Sequence, residues 1–77
     1  MKVFRELDSV RLLKPVWDLI MGEDREIEVP AGSRGLVVHV FGSADNPPAY
    51  IVEFRLSNDD YVVANVKADN LIADSEP

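Results

Sequence analysis

The segment Tyr50 to Leu56, YIVEFRL, alternates without a break: Tyr50, Val52, Phe54 and Leu56 share one side, and Ile51, Glu53 and Arg55 the other. A period of two is the pleat of a β-strand with one wet face. The same short rhythm recurs along the chain, cut by turn formers about every 8–12 residues, a spacing that predicts a small sandwich or barrel. In the first run, Leu7 to Leu13, Val10 and Leu12 oppose Ser9 and Arg11, and Pro15 ends the strand by removing a backbone donor. Leu36 to Phe41 is a second strand. Its Val37, Val38 and Val40 break the alternation, which calls for a bulge or for burial on both faces. Tyr61 to Val66, with Val62, Ala64 and Val66 inward, and a short Leu71 to Ala73 follow, joined by one 3₁₀ turn over Lys67 to Asn70. With Tyr50 to Leu56 these make five strands. The expected core is Val10, Leu12, Val38, Val40, Val52, Phe54, Val62, Ala64, Val66 and Leu71.

Between the strands the punctuation is specific. In VPAGSRG, Val29 to Gly35, Gly32 supplies the positive φ of a type II turn, and Gly35 sits where the chain bends into the sheet and a side chain does not fit. Gly42 to Pro48, GSADNPP, closes a hairpin, and Ser57 to Asp60 forms the next turn. Lys14 to Glu28 reads in two ways. PVWDLIMGE makes one or two helical turns between Pro15 and Gly22, or a long irregular first loop lays Trp17 and Ile20 against the barrel. Glu23 to Glu28 then forms a solvated tip. The 77 residues suffice for one domain, with its core over about 7–73 and a frayed polar tail over 74–77.

Composition narrows the chemistry. Without cysteine there is no disulfide, no thiolate zinc site and no cysteine nucleophile. Small secreted domains usually need such staples, so the expected location is cytoplasmic. No uninterrupted apolar segment reaches signal-peptide length, let alone the ~20 residues of a membrane helix, and no membrane span is expected. A formal charge of −6 disfavours nonspecific nucleic-acid binding and suits a basic protein partner, or solubility alone.

No residue set is arranged for catalysis. His39 is the only histidine, whereas a metal site needs several ligands and a nucleophile needs an oriented base. The acidic pairs Glu23-Asp24 and Asp59-Asp60 fall in expected turns and do not aim two carboxylates at one point, and Asn58-Asp59-Asp60 lacks the alternating ligand spacing of a calcium loop. Gly32 to Gly35 lacks the lysine and the spacing of a phosphate-cradling loop. No enzyme activity, metal or cofactor is therefore expected. The aromatic residues Trp17, Tyr61 and Phe41 are the candidates for partner binding, Trp17 first because it is expected on a loop rather than in the core. Self-association through an open strand edge is a further expectation.

The carrying residues Leu7, Asp8 and Val10, then Pro30-Ala31-Gly32 and Gly35, then Tyr50-Val52-Glu53-Phe54 and Leu71 resemble the pattern of short bacterial SH3-like barrel proteins. The layout is similar to the small barrel of the nitrile hydratase beta subunit and to KOW-type barrels. The resemblance implies a five-stranded SH3-like barrel with a long first loop, and it transfers no catalytic residue. The acidic charge, the absence of a catalytic set and Trp17 on a long loop favour a non-catalytic interaction domain, such as an accessory subunit, inhibitor or antitoxin-like partner. The alternative is a KOW-like nucleic-acid-binding barrel, in which Arg11, Lys14, Arg34 and Arg55 would cluster.

Overall fold

The computed structural model describes residues 3–19, 26–42, 45, 47–56 and 61–74. Seven strands form: β1 (Ser9–Leu12), β2 (Val16–Leu19), β3 (Glu26–Val29), β4 (Arg34–Val40), β5 (Ala49–Arg55), β6 (Tyr61–Lys67) and β7 (Leu71–Ala73), with a 3₁₀ turn at Ala68–Asn70. The protein is all-β, and the described residues include no helix long and apolar enough to cross a membrane. Five strands make one antiparallel sheet in the order β6-β5-β4-β1-β7, while β2 and β3 pair with each other. The five strands of the sheet are the five expected from the alternation.

The first loop is a correction. Val16–Leu19 and Glu26–Val29 are strands in register, Val16 opposite Val29 and Trp17 opposite Glu28, so neither a helical turn nor an irregular loop describes them. Val16, Asp18, Ile27 and Val29 have the two-residue period of a strand. Val29 is buried, and Val16 and Ile27 pack against the core. Tertiary burial of that face outweighs the Pro15 and Gly22 signals, which are local. Ile20 and the Glu23-Asp24 pair lie outside the described residues, as does Asp59-Asp60.

The core is continuous and apolar, with no buried polar or charged residue among those described. Eight of the ten expected core residues are buried, and Phe4, Val29, Val37 and Tyr50 join them. The exceptions are Val38 and Val40. Pairing shifts between Val37 and His39, so Val38 is the extra residue of a β-bulge. Val37 therefore points inward opposite Val52, Val38 turns out, and Val40 only packs against the core.

Phe4 and Asp74, near the limits of the described residues, are held more firmly than the sequence suggests. Phe4 is buried against Tyr50 in an edge-to-face contact, 5.6 Å between ring centroids, and its backbone N–H donates to the Tyr50 hydroxyl at 3.0 Å. A fully buried phenol thereby obtains its partner. Leu7, at φ 73°, lies in a turn closed by the Asp8 N–H to the Arg5 carbonyl, so the first strand begins after it. Asp74, expected in the frayed tail, accepts from Arg11 at 2.9 Å.

The two expected glycine roles are visible. Gly32, at φ 84°, follows Ala31 in a turn closed by Ser33 N–H to Pro30 C=O at 3.2 Å. A Cβ on Gly35 would lie 2.5 Å from Val52 Cγ1 and 2.8 Å from the Phe54 ring. Gly35 is therefore where β4 crosses over large core side chains, inside the strand rather than before it.

Candidate functional site

On an antiparallel hairpin, neighbouring side chains alternate between core and solvent. Val16, Ile27 and Val29 take the core side of β2–β3, which leaves Trp17, Glu26 and Glu28 on the other. Trp17 is 61% exposed, directly opposite Glu28 and one pleat from Glu26. Both glutamates are exposed, and among the described residues neither has an ion-pair or hydrogen-bond partner. An indole face flanked by two uncompensated carboxylates suits a cation: the ring quadrupole and the charges attract it together. Sequence reading singled out Trp17 but assigned the glutamates to a solvated tip. The signal for them is the alternation in EIEV, which pairs with that of VWDL.

Tyr61 and Phe41 lie elsewhere. Tyr61 begins β6 on the outer face of the large sheet, opposite Arg55. The Arg55 guanidinium lies 5.2 Å from the Tyr61 ring centroid, and its Nε donates to the hydroxyl at 3.2 Å. Phe41 follows β4, and its ring stands nearly perpendicular to that of His39, 4.9 Å between centroids. Phe41 bonds to Ala49, six residues along β5 from Arg55, so Phe41 and Tyr61 stand roughly 20 Å apart on that face. The three aromatic candidates form no common groove.

The outer face of the large sheet carries a row of arginines instead. Arg11 pairs with Arg34 across β1 and β4. The β4–β5 register, Leu36 opposite Glu53 and Gly35 opposite Phe54, places Arg55 next to Arg34. Asp74 bridges the first two, 2.9 Å from Arg11 Nη2 and 3.1 Å from Arg34 Nε. Arg34, Arg55, Tyr61, Glu53 and Asp74 line one groove of about 400 Å³ with Leu36. Lys14 stands apart from the row, tied through its backbone to Asn70 and lining a different groove with Lys67 and Asp69. This row pairs residues far apart in the chain, so no local motif signals it.

His39 is exposed, and among the described residues no three His, Asp or Glu side chains gather where they could hold a metal ion. A comparison of the chain with protein-family models, with curated proteins and with solved structures finds no match.

Proposed function

We propose that the chain is an SH3-like barrel acting as a non-catalytic protein-interaction domain, with the Trp17 face of the hairpin receiving a basic segment of a partner protein. The strand order β6-β5-β4-β1-β7 supports the barrel reading: a meander whose last strand returns to the first, with a hairpin inserted after β1 and a 3₁₀ turn before β7. The observation that carries the functional reading is the exposed Trp17 between Glu26 and Glu28. A partner lysine or arginine stacks on the indole while a second cation meets the carboxylates, and the net charge of −6 speeds its approach. Trp17 is the only tryptophan, so its emission reports on this face alone. Titration with an oligoarginine peptide at low salt is expected to shift that emission. The shift fades with salt and with Glu26→Gln plus Glu28→Gln. Unchanged emission at saturating peptide ends the reading.

The arginine row favours a second reading, a KOW-like surface for nucleic acid. Asp74 and Glu53 within the groove oppose it. A gel shift with single-stranded RNA at low salt, where phosphate attraction is strongest, decides between them: no retardation removes it.

A further inference from the structure

A strand edge without a neighbour is a row of backbone donors and acceptors open to another chain. The large sheet ends in β6 and β7. β2 lies alongside β6, and β7 is three residues long, so both of those edges are blunted. β3 differs. It is hydrogen-bonded to β2 on one side, and among the described residues no hydrogen bond meets Glu26–Val29 from the other. The same strand carries the exposed Glu26 and Glu28 on the outer face beside Trp17, and among the described residues neither carboxylate has a partner.

We propose that β3 receives an extended segment of the partner protein as an added strand, one with basic residues at alternate positions. This rests on the reading of the Trp17 face as a receiver of cations, and it names how the basic segment lies. Main-chain bonds to β3 hold the segment, and its side chains select it. Glu26 and Glu28 are two residues apart, so two basic residues at i and i+2 of the added strand face both carboxylates at once. Neighbouring strands are about 4.8 Å apart, which puts Trp17, on β2, two spacings from the added strand. An arginine opposite Glu28 crosses that carboxylate and lays its guanidinium on the indole. The charges also decide what is refused. A second copy of β3 brings glutamates against glutamates, and like charges opposite each other destabilise a strand pair. A basic strand meets no such penalty.

Two peptides of equal composition test this at low salt, read by Trp17 emission: TTRTRTT, whose arginines share one face of a strand, and TTRRTTT, whose arginines point apart. The first is expected to bind about fivefold tighter, and the preference vanishes in Glu26→Gln combined with Glu28→Gln. Equal affinity of the two peptides overturns the proposal. So does an alternating peptide that leaves the emission unchanged where oligoarginine shifts it. The backbone is tested with TTRTRTT methylated on nitrogen, either at the arginines or at the threonines that alternate with them. Successive N–H groups of a strand point to opposite edges, so only one of these sets faces β3. Methylation of that set is expected to weaken binding about tenfold or more, and methylation of the other to leave it within about twofold. Equal effects of the two methylations overturn strand addition. A response to oligoarginine alongside any of these failures leaves the Trp17 reading standing, whereas silence toward every peptide removes both.

Discussion

Strand β5 and the β2–β3 hairpin have the same two-residue period and opposite circumstances. β5 is hydrogen-bonded on both sides, to β4 and β6, and it contributes Tyr50, Val52 and Phe54 to the core. β2 and β3 are hydrogen-bonded only to each other in the sheet pairing, and Val16, Ile27 and Val29 hold them to the core. A two-stranded ribbon is marginal by itself in water, so that apolar face is its anchor. The contrast teaches a division of labour. The large sheet supplies the cooperative body. The hairpin lends its inner side to the core and leaves Trp17, Glu26 and Glu28 exposed on its outer side. Regions with few anchoring contacts open at lower free energy than the body that holds them.

The sharpest way to break the comparison is at β5. Phe54→Ala is expected to cost about 3–5 kcal/mol, a large share of the ~5–15 kcal/mol typical of a domain. A melting temperature within a few degrees of the wild type would show that the body lies elsewhere. Gly35→Val comes next, at about 1–3 kcal/mol, because its Cβ would press on Val52 and Phe54. Ser33→Ala, two residues away, is expected to stay within about 0.5 kcal/mol, and equal denaturant midpoints for the two would refute the close approach at Gly35.

On the hairpin, Val29→Ala is expected to cost roughly 1.5–2.5 kcal/mol, from two methyl groups at ~0.8 kcal/mol each and a small cavity. Hydrogen exchange sharpens this: the β2–β3 amides should exchange faster in Val29→Ala while those of β5 keep their protection. Uniform loss of protection would mean that hairpin and sheet open as one unit. The smallest effect is expected at Trp17→Ala, within about 0.5 kcal/mol in chemical denaturation, since the ring is exposed. A loss above 1 kcal/mol in that experiment would make Trp17 part of the scaffold and remove the main argument for its role in binding.

Alternation and turn chemistry made much of this legible. YIVEFRL declares a half-buried strand, and PAGS declares a turn that needs positive φ at Gly32, because both signals sit within a few residues. The hairpin was not legible. Its alternating segments are four residues each, beside a proline and a run of charges that look like loop punctuation. The bulge at Val38 was foreseeable as an irregularity, but which of Val37 and Val38 turns inward depends on the register with β5.

By itself, then, the sequence determined an all-β chain, the positions of its five principal strands, the turn at Gly32 and the lack of room at Gly35. Those are short-range consequences of backbone sterics and of a period of two. Only the tertiary structure decided that Phe4 covers Tyr50, that Asp74 joins Arg11 and Arg34, that Arg55 completes their row, and that Trp17 stands beside two bare carboxylates. Each of these joins separate strands or the two ends of the chain. Strand pairing sets the strand residues among them, and a one-residue slip in register would have turned Arg11, Arg34, Arg55 and Trp17 to the other face.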